Sequence, residues 1–413
     1  MSGVVTDTMA PAEVVERPTS EPAPRPRRAD IRLQLLIAAT TIVTVRIGSG
    51  LVLSKAALSS VPQGPWFPPV HGWTAPFIRW DANYFTAIAQ HGYSWLETYD
   101  FFPVYPLLIR AVSPVFGYSG GAIVISWVAS VFAVWGVMDV TERFTSRRMA
   151  WIAGALLMWN PVSVFLLAGY AEALLVALMI WSLRFCLDAK WWPAAITAGL
   201  ASGVLPQGIA SAAALVVAVV MADRTTRGVL KGAAFGLIGL AGCIGYLLYS
   251  WAATGNPFKI REAETAGWQA HLTYPFHMVF VDLSRIASWH FTVGTADVSS
   301  QMKVVYTLDA GIGLFTVAVV VAGVVLSASD RRLVLPTTLL LVGMLISVIT
   351  VDAAADSTAR FMLFLAPLYV IVAVVLHKLP ALVRLPVVLN VVILAAASAV
   401  FFGALFNLGY WLT

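Results

Sequence analysis

Charge is what this sequence has least of. Only 11% of its 413 residues are Asp, Glu, Lys or Arg, about half the fraction found in soluble globular domains. Set beside a hydrophobic content of 59% and a mean hydropathy of +0.82, that scarcity excludes an ordinary water-soluble fold. Cysteine is nearly absent too. Cys186 and Cys243 both sit in or beside apolar stretches, which excludes a disulfide framework and a cysteine metal site. His271, His277 and His290 show no zinc-type spacing, so a structural metal is excluded as well. The alternation of apolar and polar residues that marks a membrane barrel is missing. No fold for binding a nucleotide sugar is visible either.

What is there is a succession of apolar runs about 20 residues long, each able to cross a bilayer as a helix. The sequence therefore predicts an all-α polytopic membrane protein with one membrane domain over residues 33–413. Residues 1–32 differ. Pro11, Pro18, Pro22, Pro24 and Pro26 alternate with Arg17, Arg25, Arg27 and Arg28, a basic Pro/Arg-rich composition that predicts a disordered tail. The long apolar run behind it reads as an anchor rather than a cleaved signal. The net charge of +5 comes largely from this tail and from short basic loops. Membrane orientation and anionic lipid account for it, so nucleic acid is not an expected partner.

The expected spans are 33–57, 120–140, 150–168, 170–187, 230–252, 303–327, 333–351, 360–378 and 386–409, with an ambiguous apolar piece at 192–221. Positive loops face the cytoplasm. A basic tail inside, Arg143, Arg147 and Arg148 inside, and Arg224, Arg227 and Lys231 inside are satisfied together only if 192–221 is a broken hairpin turning at Gly203-Val204-Leu205-Pro206-Gln207-Gly208. This gives about eleven membrane segments. The N-terminus is then cytoplasmic, and the long loops 58–119 and 253–303 lie outside. Gly232, Gly236, Gly239 and Gly242 form a small-residue stripe suited to close helix packing.

Chemistry concentrates in the first outer loop, Arg79-Trp80-Asp81-Ala82-Asn83-Tyr84 through His91-Gly92-Tyr93, followed by Phe101-Phe102-Pro103-Val104-Tyr105-Pro106. Asp81 opens an amphipathic stretch. It can serve as a helix cap or as a carboxylate that accepts a proton from an incoming hydroxyl. Arg79 and Arg110 can be interfacial anchors or phosphate contacts. His91 can bind a phosphate or simply sit on a surface loop. Arg46 lies deep in the first span, where a charge must face protein, with Glu172 as a candidate partner. Glu172 and Arg360 each stand at the outer end of a span.

These blocks resemble the PIG-V-type mannosyltransferases, which include the second mannosyltransferase of glycosylphosphatidylinositol assembly and bacterial relatives. The resemblance rests on Arg79-Trp80-Asp81 with Tyr84, Gly92-Tyr93 and Phe101 to Arg110. Asn160-Pro161 through Tyr170 and Glu172, Gly255-Asn256-Pro257-Phe258 with Trp268, and Arg360-Phe361 with Pro367 follow in order. It implies a GT-C glycosyltransferase fold whose catalytic loops are extracytoplasmic. It further implies inverting transfer of mannose from a polyprenyl-phosphate-mannose donor to a lipid-linked or glycan acceptor, in glycolipid biosynthesis. Asp81 would be the general base, Arg360 a contact to the donor phosphate and Glu172 a contact to a substrate hydroxyl. Arg79, Trp80, Tyr84 and His91 complete the expected substrate-binding set. At the hairpin tip relatives carry an arginine and then Asn-Gly, where this chain has Leu205-Pro206-Gln207-Gly208.

The composition looks bacterial, of the actinobacterial kind, which points to the plasma membrane. By analogy the acceptor would be a phosphatidylinositol mannoside, a lipoglycan or a polymer. No cofactor and no metal are expected, with a weak divalent-cation dependence left open. The alternatives are a GT-C transferase of arabinose or glucose and a lipid or solute transporter. A transporter would place its polar residues at mid-bilayer, often in two related halves, and no convincing internal repeat exists here.

Overall fold

The computed structural model describes residues 70, 72–267, 274–287, 298–350 and 357–407. The tail, the first span with Arg46, Trp268, His271 and His290 lie outside the described residues. Within them the chain is helical, and no strand occurs.

A short helix, α1 (Asp81–His91), precedes the long α2 (Val104–Glu142). The expected outer loop runs to residue 119, but helix begins at Val104. Pro103 stands just before the helix and Pro106 lies in its first turn, where the missing N–H is not needed. A bend at Gly117 (φ 68°) separates this outer part from the membrane part. After α3 (Arg147–Met158) the chain leaves helix at Trp159 and runs irregularly to Ala171. The expected span 150–168 is therefore broken. Asn160 takes over at that point: its Oδ1 accepts from Val162 N (2.9 Å) and its Nδ2 donates to Leu157 O (2.7 Å), so a side chain supplies the turn that Pro161 forces. Helix α4 (Glu172–Leu187) follows.

The 192–221 piece is a hairpin of two short helices, α5 (Trp191–Ser202) and α6 (Ile209–Ala222), with a 3-10 turn at Pro206–Gly208. Any Cβ on Gly208 would collide with the Ala201 carbonyl, so the turn closes only around glycine. Its tip packs on the start of α2, where Val104 N donates to Gly203 O (3.0 Å). The expected span 230–252 proves to be α7 (Thr226–Gly239) and α8 (Ala241–Thr254), bent by 54° at Leu240. The glycine stripe packs as anticipated: Gly236 meets Val216, Gly239 meets Ala212, and Gly242 touches the backbone of Gly199 and Gly203.

Two short helices, α9 (Lys259–Gly267) and α10 (His277–Ala287), occupy what was read as an outer loop. Then come α11 (Val298–Ser329), α12 (Val334–Thr350), α13 (Thr358–Leu363), α14 (Pro367–Lys378) and α15 (Ala381–Asn407). The expected span 360–378 is interrupted before Pro367. Among the described residues four helices are long and apolar enough to cross a membrane, or five if the bent pair counts as one. The expected count of about eleven membrane segments is not confirmed among the described residues, where several of the expected segments are shorter helices. The protein is nonetheless multi-pass.

The two ends of the bundle differ in charge. At the C-terminal end of α4, Arg184 pairs with Asp139 and Asp188, and Arg143 reaches Asp188 (2.6 Å). Arg332 lies over the Phe144 ring and Lys231 over Trp191, which draws the other basic loops to the same end. Glu172 opens α4 twelve residues earlier than Arg184, roughly 18 Å away along the axis. In a variant lacking Cys186 and Cys243, cysteines placed at the exposed positions Ser94 and Thr226 should react with an impermeant maleimide from opposite sides of intact vesicles. Labelling of both from one side would refute the two-sided arrangement.

Candidate active site

At the end opposite the basic loops, Arg360 lies between two carboxylates. Its Nη2 is 2.6 Å from Oδ2 of Asp81, and its Nε donates to Oε1 of Glu172. Arg360 is 4% exposed and Glu172 1%, while the Asp81 side chain keeps 13%. The guanidinium also lies 4.9 Å from the ring centroids of both Phe165 and Tyr170, so aromatic faces complete its surroundings. Three residues from distant parts of the chain thus form one buried charged triad. The buried cation holds both anions in place, because removing Arg360 would leave two carboxylates uncompensated away from water.

The backbone is built to deliver Asp81 to this triad. Asp81 is the first residue of α1, and the cap position before it belongs to Trp80. Asp81 thus stands in the first turn of its helix, as the cap reading expects, while its carboxylate pairs with Arg360. Trp80 adopts φ 53°, ψ −122°, a conformation that costs energy for a large L residue. Hydrogen bonds pin the segment: Tyr170 Oη donates to Arg79 O (3.1 Å), Gly169 N to Phe77 O (2.9 Å) and Ser126 Oγ to Tyr170 O (2.9 Å). Tyr105 Oη meets both Ser126 Oγ and Ala122 O at 2.8 Å. Through these bonds α2 carries the irregular 159–171 segment, and that segment carries Arg79 and the rings under Arg360.

Asp309 belongs to this support and went unnoticed in the sequence. It is fully buried on α11, and its Oδ1 accepts from Ala359 N (2.6 Å), one residue before Arg360. The signal was available, since an acid inside an apolar run must face protein. Asp100 and Glu264 were also missed. Asp100 ends the 3-10 turn Leu96–Asp100, against which α9 packs through Gly267 and Glu97. Burial pushes the Asp100 carboxyl well above the usual range, and the negative charges of Glu264 and Asp81 push it further. Glu264 is also raised, mainly by burial, against the pull of Arg261 at 3.2 Å.

Of the other expected residues, Tyr84 stacks on Phe101 (centroids 4.9 Å, interplanar 13°), and its phenol is pushed up to about 12 by burial and by Glu97, Asp81 and Asp100. Trp80 is half-buried beside Asp81. His91 is exposed at the far end of α1, roughly 15 Å from Asp81 along the axis, and is not brought to the triad. Arg110 is likewise exposed on α2. Arg79 is buried, with 5% exposure. Among the described residues no group of three or more His, Cys, Asp or Glu is placed to hold a metal ion.

The class comes from the fold. The chain superposes on the crystal structure of ArnT from Cupriavidus metallidurans bound to undecaprenyl phosphate with a TM-score of 0.50 at 12% identity, covering 92% of this chain and 76% of that one. This is the GT-C membrane fold. Part of the site also has a sequence likeness: residues 69–223, which include Asp81 and Glu172 but not Arg360, match the family model described as mannosyltransferase (PIG-V). The GPI alpha-1,6-mannosyltransferase 2 of Rattus norvegicus is 30% identical over 145 residues, 32% of this chain and 30% of that protein. Its Homo sapiens counterpart is 27% identical over 154 residues, 34% of this chain and 31% of that protein. The matched stretch therefore spans about a third of each of these relatives.

Replacing Arg360 by Met should lower stability by about 3–5 kcal/mol in detergent melts, and adding Glu172→Gln should recover part of that loss. Equal melting of Arg360→Met and wild type would show the triad carries no weight. Asp100 gives a pH test. A carboxyl raised in the folded state contributes its full stability below the unfolded value, about 4, and loses it as pH rises toward the folded value. Wild type should therefore lose stability relative to Asp100→Asn as pH is raised above about 4. A constant difference across pH would remove the buried-acid assignment.

Proposed function

We propose that the protein is a membrane mannosyltransferase that takes mannose from a polyprenyl-phosphate-mannose donor and passes it, with inversion, to a lipid-linked or glycan acceptor. The observation that carries this reading is the half-engaged carboxylate of Asp81. Oδ2 is held by Arg360, while Oδ1 has no partner among the described residues, and the side chain keeps access to the surroundings at the charged mouth of the bundle. It lies inside the segment that matches the PIG-V family.

The reaction asks for little more than positioning and electrostatics. The acceptor hydroxyl gives its proton to Asp81 as its oxygen bonds to the anomeric carbon. The bond from that carbon to the phosphate oxygen breaks, and its electron pair leaves with the phosphate. Attack opposite the leaving group inverts the sugar. Arg360 steers Asp81, Glu172 balances Arg360, and Trp80 and Tyr84 line the approach as aromatic surfaces for the sugar. His91, at the far end of α1, would act only on a distal part of the acceptor.

In this reading the protein is a multi-pass protein of the plasma membrane. Its N-terminus is cytoplasmic and its catalytic mouth extracytoplasmic, because the basic loops gather at the other end. The basic tail of 1–32 is cytoplasmic, and 33–413 form the membrane domain. The reaction as drawn uses side chains alone, without a cofactor.

Asp81→Asn should insert and fold as wild type while losing at least about a hundredfold in transfer of labelled mannose from polyprenyl-phosphate mannose to a lipid extract. Retained transfer would remove Asp81 as the base. A labelled product carrying arabinose or glucose instead, or none from any prenyl-phosphate sugar, would overturn the mannose donor.

A further inference from the structure

Among the described residues, nothing balances the buried cation Arg79. Its Nε is sealed from solvent without a hydrogen-bond partner, and among the described residues its side chain makes no hydrogen bond or ion pair. Burial holds its pKa below the usual arginine value, and no neighbouring anion opposes that shift. An arginine partly withdrawn from water, with its other nitrogens still reachable, gains from an anionic partner that arrives. The backbone nonetheless fixes it there: its carbonyl accepts from Tyr170 Oη and from Ala82 N, both at 3.1 Å, and the adjoining Trp80 keeps its unfavourable φ.

Arg360 is in the opposite condition. Two carboxylates share its single charge, so the triad carries a net negative charge. An anion approaching Arg360 would meet Asp81 and Glu172 at the same place. An anion approaching Arg79 meets a cation with unused donors, two residues along the chain from the base.

We propose that Arg79 is the residue that binds the donor phosphate, and that Arg360 is an internal counter-ion that positions Asp81. This rests on the reading of the donor as a polyprenyl-phosphate sugar. The phosphate gains one negative charge as the bond to the sugar breaks, so the pairing strengthens along the reaction and favours departure of the leaving group. The planar fork of the guanidinium suits two phosphate oxygens at once. The free enzyme bears the cost of an unpaired buried charge, and the donor relieves it.

The test uses the full-length protein in nanodiscs, titrated with a labelled short-chain polyprenyl phosphate, the matching uncharged polyprenol, and inorganic phosphate. Wild type should bind the prenyl phosphate well above the polyprenol. Arg79→Gln should weaken the prenyl phosphate by about tenfold or more and leave the polyprenol unchanged. It should also melt no lower than wild type, because the lost side chain leaves no partner behind. Arg79→Lys should fall between the two. If Arg79→Gln binds the prenyl phosphate as tightly as wild type, the assignment is overturned and the donor reading stands. If wild type binds inorganic phosphate through Arg79 with no preference for the prenyl form, the anion site is upheld and the donor reading falls. If wild type binds no phosphate of any kind, both fall. Should Arg79→Gln melt well below wild type, Arg79→Lys decides. Weakened phosphate binding with unchanged polyprenol binding supports the assignment, and unchanged binding of both overturns it.

Discussion

The site depends on one cation between two anions. Neither carboxylate is balanced at this buried point without Arg360, and Arg360 has both of them as its ion-pair partners. Because each comes from a different helix start, their mutual need ties α1, α4 and α13 to one point. Every support described above serves that point: Asp309 caps the helix that brings Arg360, Tyr170 holds the strand of backbone that brings Asp81, and Ser126 with Tyr105 holds Tyr170. These are buried hydrogen bonds in a setting where an unmade bond is costly, so the triad is embedded in a rigid frame.

The helices around the site are irregular for the same reason. A chain of uninterrupted spans would place only side chains at the mouth of the bundle. Breaking helices at Trp159, Gly203, Leu240 and Phe364 frees loop backbone and helix ends, and the freed polar groups find specific partners such as Asn160 Oδ1, which accepts from Val162 N. The glycine stripe lets the broken hairpin and the bent pair α7–α8 press together closely enough to bury those breaks.

The division of charge between the two arginines gives the site its logic. One arginine is satisfied within the protein and organises the base. The other is left unsatisfied, close by, in a site that faces an anionic substrate in the proposed reaction. A protein that burdens itself with an unpaired buried cation and a strained tryptophan on adjacent residues concentrates its local cost where function resides.

Much of this was legible in the sequence, and the limits are physical. Composition determined the class, because so few charges over so many apolar runs have no other solution than membrane helices. The Arg79-Trp80-Asp81 stretch and the outer positions of Glu172 and Arg360 could be picked out as polar groups at the ends of apolar runs. The glycine period announced close packing. What the sequence could not determine is which of these groups pair. Residues 81, 172 and 360 are far apart along the chain, and only the packing of α1, α4 and α13 decides that Arg360 faces both carboxylates while Arg79 pairs with none among the described residues. The breaks in the helices were hidden likewise. Hydropathy measures whether a residue tolerates lipid, and it is the same for a continuous span and for two half-helices whose freed backbone groups find partners in the fold.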